Sequence, residues 1–378
     1  MLLLLVALLI LTACTGRDLI SWGSGWTPAA VSDGVVYVGT KDGEVLALDA
    51  NRNGNLRGEE QVKWRFSPEG DERLGGFFGA PAVGEEYVYV ADRGNRDDTG
   101  ARLYALRKDR GSDGTVRSDM GEWGKDVGGA VVGGPVLAAG LVMFGSDDGN
   151  LSAYYTAGDT PGRLAWRFPT EAQIWTTPLT ADGIAYFGSM DRHVYAVLTT
   201  GDRAGDEVWK YKTGGAVVSR PLQLDGMLIV GSFDKKLYAL DLTDGSLLWS
   251  FEASDWFWAG PVSDGEYIFA SSMDGTVYAL DKNGNPVWPV PFKAESPVVS
   301  TPVLIDDMLV VATDGGKLHL LRASDGSERE VFKDLLGGRV KAPLSREDNV
   351  VFIGAEDHTV RGMNVERWAE VWQISTRK

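Results

Sequence analysis

The sequence predicts an all-β chain folded as an eight-bladed β-propeller of four-stranded antiparallel blades, and three observations predict it. A proline preceded by small residues recurs at Pro28, Pro81, Pro135, Pro178, Pro221, Pro261, Pro302 and Pro343, at intervals of 40 to 54 residues. Each copy carries four short apolar runs divided by turn residues. The 378 residues include 48 glycines and 13 tryptophans, with repeated Asp-Gly pairs, a composition that favours short strands and tight turns over helices. A repeat of about 40 to 45 residues holding four strands is the period of a propeller blade. No linker rich in Pro, Ser or charge interrupts the copies, so one ring over residues 27–376 is expected rather than two four-copy domains.

Within a copy the elements follow in a fixed order. The strand after the proline is short and ends in a turn. The second run is strongly apolar, as in VVYVGT (35–40), GMLIVGS (226–232) and MLVVAT (308–313), and leads to an aspartate turn such as Asp42-Gly43, Asp148-Gly149, Asp234-Lys235, Asp274-Gly275 or Asp314-Gly315. Aspartate suits these turns because its carboxylate can bond its own backbone, so its abundance does not indicate acid/base catalysis. A third run reads VLALD, LYALD or VYALD, a glycine turn follows, and the fourth carries Trp64, Trp123, Trp166, Trp209, Trp249, Trp288 or Trp372. The seventh copy has Glu330-Val331-Phe332 in that place. Rings recurring once per unit are expected to pack blade against blade.

The N-terminal run MLLLLVALLILTAC is too short to span a bilayer and reads as an export signal. Leu11-Thr12-Ala13-Cys14 resembles a bacterial lipobox, although no Lys or Arg precedes the run. The expected organisation is a signal peptide over 1–13, an acylated Cys14 opening a short tether to residue 26, and then the propeller. Several acyl chains on one residue meet the requirement for stable anchoring. The expected location is extracytoplasmic, on the cell membrane or outer membrane, with the disc held close to the bilayer. Cys14 is the only cysteine, which rules out an intrachain disulfide and any cysteine-based metal or redox site. The net charge of -16 opposes nucleic acid as a partner.

The spacing of YALD, a glycine and a tryptophan resembles the tryptophan-docking repeat of quinoprotein-like (PQQ-type) propellers, with copies from Thr27 to Ser375. Two groups share that repeat. One comprises dehydrogenases dependent on pyrroloquinoline quinone (PQQ). The other is the non-enzymatic propeller lipoprotein of the outer-membrane β-barrel assembly machinery, which has a similar size and lipobox. For a dehydrogenase the resemblance implies a tryptophan floor, Ca²⁺ held by oxygen ligands, an aspartate base and a ring of two adjacent disulfide-linked cysteines. A single cysteine cannot form that ring, so PQQ is not expected. The resemblance favours a lipid-anchored, non-enzymatic protein-interaction scaffold whose partner is a barrel insertase in the outer membrane. The alternatives are a PQQ- or Ca²⁺-dependent alcohol or sugar oxidoreductase and a carbohydrate-binding module.

Two sets of residues are candidates for function. Residues 49–60, DANRNGNLRGEE, present Asp49, Asn51, Asn53, the Asn55 carbonyl and Glu60 in the ligand order of an EF-hand-like loop, with Gly54 at its sharp turn. That pattern admits a structural Ca²⁺, and equally an Asn- and Gly-rich hairpin. The second set lies on the propeller face shared by the aspartate turns and the segments leading to the prolines. Trp26, Phe78, Trp175 and Trp258, with Arg220 and Arg339, form the expected partner-binding patch, beside Phe77, Ile174, Phe257 and Lys341. Filling gaps between blades is the competing role for the aromatic residues. His193, His319 and His358 show no metal-ligand spacing.

Overall fold

The computed structural model describes residues 28–50, 61–67, 75–94, 100–109, 125–158, 161–332 and 337–376. These contain eight four-stranded antiparallel sheets, each built from four consecutive strands. The blades, one to eight in chain order, cover 29–66, 82–126, 136–169, 179–212, 222–252, 262–293, 303–332 and 345–375. No α-helix occurs among the described residues. The all-β, eight-bladed expectation therefore holds. Cys14, Trp26, Asn51, Asn53, Asn55, Glu60 and Trp123 lie outside the described residues.

Local chemistry explains each strand. In blades one, three, four and five the first hairpin turns through two residues with positive φ, for example Asp225 (47°) and Gly226 (76°), or Asp33 (54°) and Gly34 (68°). That is the type I′ geometry whose twist matches an antiparallel pair, and Asp-Gly is its preferred sequence. The second strand is apolar on both faces because each blade is covered by two neighbours. All five residues of Met227–Gly231 and of Leu141–Gly145 are buried.

The alanine of YALD has a steric reason. In blade one Tyr37 pairs with Ala47 and Ala47 with Trp64; in blade four Tyr186, Ala196 and Trp209 form the same row. The small central side chain lets the flanking rings tilt over it, with centroids 5.9 Å and 5.8 Å apart. A β-bulge follows the alanine in both blades.

Each tryptophan then docks on the next blade. The indole N–H of Trp209 donates to Leu242 O (3.1 Å), Trp249 to Lys282 O (2.8 Å) and Trp288 to Ala323 O (2.8 Å). The glycine two or three residues beyond each acceptor (Gly245, Gly284 and Gly326) lies under the ring. A Cβ on Gly245 would stand 2.5 Å from Trp209, and φ there is 73°. The repeated glycine and tryptophan are thus the two halves of one contact between neighbouring blades.

Blade seven, which has Glu330 where its tryptophan belongs, solves the packing from the other side. At the position equivalent to Gly245, blade eight carries Trp368, with φ 46°. Its ring reaches back to Phe332 of blade seven at 4.9 Å. A second departure is ring closure. Blades one and eight each contain their own four strands, so no strand is exchanged between them. The seam is an apolar cluster of Val36, Val38, Leu46 and Leu48 with Phe352, Val360, Trp372 and Ile374. Gly34 N donates to both carboxylate oxygens of Glu347 at 3.1 Å, and Lys41 Nζ to Glu356 O at 2.7 Å.

Candidate functional site

The residues leading to the prolines converge on the axis, and their order decides where each side chain goes. Four residues before the proline, Phe77, Ile174, Val217 and Phe257 are buried between blades. A Cβ on Gly39, Gly145, Gly188 or Gly231 would strike them at 2.1 to 2.5 Å, which is why the second strand ends in glycine. One residue later the side chains meet around the axis in a single cluster. It takes Phe78, Val132, Trp175, Val218, Trp258 and Val299, each three residues before its proline, from blades two to seven, and is completed in blade eight by Ala342, which directly precedes Pro343. Aromatic rings and valines alternate, so bulky groups interleave in the narrow centre.

Phe78, Trp175 and Trp258 are consequently buried, at 1%, 8% and 8% exposure, and do not form the displayed patch that the sequence suggested. The indole N–H of Trp175 donates to Asp147 Oδ1 at 2.6 Å, and Trp175 and Trp258 stand 6.2 Å apart, centroid to centroid. Arg93 lies over the Phe78 ring at 5.8 Å. Arg339 is exposed and 3.8 Å from Asp314; Lys341 is largely buried and pairs with Glu356 at 3.2 Å. Arg220 is separate from both, at the wall of an axial cavity of about 300 Å³.

An exposed feature of the same face escapes a reading based on the prolines. The residue that follows the Ser or Thr at the end of the second strand is charged in blades one, three and seven (Lys41, Asp147, Asp314, with Gly315 at the turn aspartate's place in blade seven), and the corresponding residues of blades two and eight are Arg93 and Glu356. In the consecutive blades four, five and six it is Met190, Phe233 and Met273. These three are half-buried and pack against the axial cluster. Phe233 stacks on Trp256 at 4.9 Å and on Trp258 at 5.6 Å. The result is an apolar crescent over three blades of an otherwise charged rim. Its signal was in the sequence: SMD, SFD and SMD, where a solvent-facing turn has no structural need for an apolar residue.

The turn aspartates themselves are structural. Asp234 accepts from Tyr238 Oη (2.6 Å), Lys236 N (3.1 Å) and Gly214 N (2.6 Å), tying its turn to the segment that runs from the preceding blade into its own. Burial first, and then this hydrogen bond with its nearby negative charge, push the Tyr238 phenol above its ordinary range. Asp191 and Tyr195 repeat the arrangement.

A quinone with its Ca²⁺ does not fit the axial lining. None of the described residues around the cavity carries a carboxylate or an imidazole, so neither a carboxylate ligand for the ion nor a carboxylate or imidazole base is supplied by that lining. Among the described residues, no group of three His, Cys, Asp or Glu side chains is placed to hold a metal. Of the ligands in the Ca²⁺-like loop only Asp49 is described, at the end of the strand Val45–Asp49.

Comparison with known proteins agrees with this architecture. The family model described as "Outer membrane protein assembly factor BamB" matches residues 23–157, 100–204, 162–257, 253–327 and 273–378. Among curated proteins no sequence matches. The crystal structure of BamB from Moraxella catarrhalis superposes with a TM-score of 0.68 at 16% identity, covering 86% of this chain and 92% of that one. The computationally designed Ika8 protein gives 0.70 at 17% identity, covering 90% and 96%. At such identities the structural likeness speaks for the fold. The family match runs along nearly the whole sequence and the eight blades account for its repeats; the chain belongs to the family of the outer membrane protein assembly factor BamB.

Proposed function

We propose that the protein is a lipid-anchored, extracytoplasmic scaffold that does no chemistry itself and docks a component of the machinery assembling outer-membrane β-barrels, its partner being the membrane-embedded insertase. The observation that carries this reading is the apolar crescent of Met190, Phe233, Met273 and Trp256. Apolar and aromatic groups that are half-exposed and backed by a rigid core are what protein-binding hot spots consist of. The family to which the chain belongs, that of an assembly factor for outer membrane proteins, supplies the class of partner.

In this reading residues 1–13 are removed, Cys14 is acylated and 14–26 tether the disc near the bilayer. Cys14→Ala is expected to abolish incorporation of labelled fatty acid and release the chain from the membrane fraction. The loop from Asp49 to Glu60 is assigned a structural Ca²⁺, and chelation is expected to lower the melting midpoint of the wild type but not of Glu60→Gln. The direct test of docking is crosslinking capture from native membranes with Met190→Asp, Phe233→Asp and Met273→Asp combined. Recovery of a barrel insertase by the wild type and its loss in the folded triple variant is the expected result. Equal recovery by both would defeat the proposal.

A further inference from the structure

Eight positions immediately precede the prolines: Thr27, Ala80, Gly134, Thr177, Arg220, Gly260, Thr301 and Ala342. Seven are small, as crowding at the axis demands. A Cβ on Gly134 would meet Ala80 O at 2.7 Å, and one on Gly260 would lie 3.1 Å from Arg220 O and 3.2 Å from Arg220 Cβ. Arg220 is the exception, a long cation placed where the fold otherwise selects minimal side chains.

Arg220 has no ion-pair or hydrogen-bond partner among the described residues. It is solvent-accessible, yet desolvation lowers its pKa from the ordinary arginine value. Both hold because water reaches it inside a confined space rather than from open solution. A guanidinium stays charged under such conditions. Keeping a cation in a confined, partly desolvated place without a counter-charge is unfavourable, and an anion entering the space relieves that cost.

The other polar side chains on the lining reinforce the sign. Thr177 Oγ1 accepts from Gly134 N at 2.8 Å, and Thr301 Oγ1 accepts from Gly260 N at 3.0 Å. With each oxygen engaged as acceptor, its hydroxyl proton is left to donate. Lys341 adds a second cation at the wall, already paired with Glu356. Phe78, Val132, Trp175, Val218, Trp258 and Val299 contribute apolar side chains to the lining. The cavity therefore offers donors and apolar area, with no acidic side chain among the described residues. Its volume of about 300 Å³ falls at the small end of ligand pockets.

We propose that the axial cavity binds a small organic carboxylate, its charge held by Arg220 and the hydroxyls of Thr177 and Thr301, and its apolar body by the aromatic and valine lining. This site lies beneath the crescent and is independent of the docking reading.

The test is calorimetric titration of the full-length folded protein with benzoate, and in parallel with inorganic phosphate. Saturable one-to-one binding of benzoate, stronger than that of phosphate, is expected. A hydrogen-bonded charge contributes enough that Arg220→Gln is expected to weaken binding by about tenfold or more. Thr177→Val combined with Thr301→Val is expected to weaken it severalfold while Arg220 is retained. Melting curves of each variant establish that the fold is intact, and Arg220→Lys, which keeps the charge and loses the planar fork, is the second variant at that position, with intermediate affinity expected. No saturable heat with benzoate up to about 10 mM, unchanged binding in folded Arg220→Gln, or phosphate binding more tightly than benzoate would each overturn the assignment.

Discussion

Gly245 shows how much of this ring is decided by single residues. It has both a positive φ and an indole on its surface, whereas Gly226 has a similar φ (76°) and nothing within 4 Å of a would-be Cβ. Gly226→Ala is therefore expected to cost only the backbone preference, about 1 kcal/mol. Gly245→Ala adds a clash with Trp209 and is expected to cost about 1–3 kcal/mol more, measured by urea unfolding. Asp274 makes a different point. Burial alone would raise its pKa, but hydrogen bonds from Ser272, Lys293 and Thr276 outweigh burial and hold the carboxyl below its ordinary range. A depressed folded-state pKa means stability that is complete above the unfolded-state value and is lost as pH falls through the folded-state one. Asp274→Asn is expected to be less stable than wild type at neutral pH, and the gap is expected to close in strong acid. Both the glycine and the aspartate were legible in the sequence, because each recurs at one place in the repeat. The destinations of Phe77 and Phe78 were not, since adjacent residues of the same type go to an interblade gap and to the axis.

At the scale of an element, the blade was readable because its rules are local: Asp-Gly for the first hairpin, apolar residues on both faces of the second strand, alanine between two rings. The contact between blades seven and eight was hidden, because it shows in sequence only as two unrelated departures, Glu330 in one copy and Trp368 in the next. Once Trp368 is seen to fill the place that a tryptophan at 330 would occupy, the pair becomes testable. Trp368→Gly leaves a gap, and Glu330→Trp alone meets an occupied site. Together they rebuild the arrangement of the other blades. Each single substitution is expected to destabilise, and the double variant to recover, with a coupling of about 1–3 kcal/mol in a double-mutant cycle. Additive losses would show that Trp368 is not the substitute. The crescent belongs to this scale too, since SMD, SFD and SMD stand out only when three consecutive turns are compared with the charged residues of the others.

At the scale of the whole molecule, eight contiguous blades make a ring that closes at the seam between the first and the last. Without an exchanged strand, the seam depends on the apolar cluster around Trp372 and on Glu347. Trp372→Ala is expected to cost about 3–5 kcal/mol, and to accelerate amide exchange in Ala29–Ser32 and Ser345–Glu347 before other blades respond. A closed ring presents two faces, and the scaffold reading assigns the partner to the face bearing the aspartate turns. The measurement that tests this most directly is residue-specific photo-crosslinking in native membranes, with the photoreactive side chain placed in turn at Met190, Phe233 and, on the opposite face, the exposed Asp244. The account predicts one discrete adduct with an integral outer-membrane barrel protein from Met190 and Phe233, and none from Asp244. Adducts from Asp244 alone, or equal yields from both faces, would contradict it.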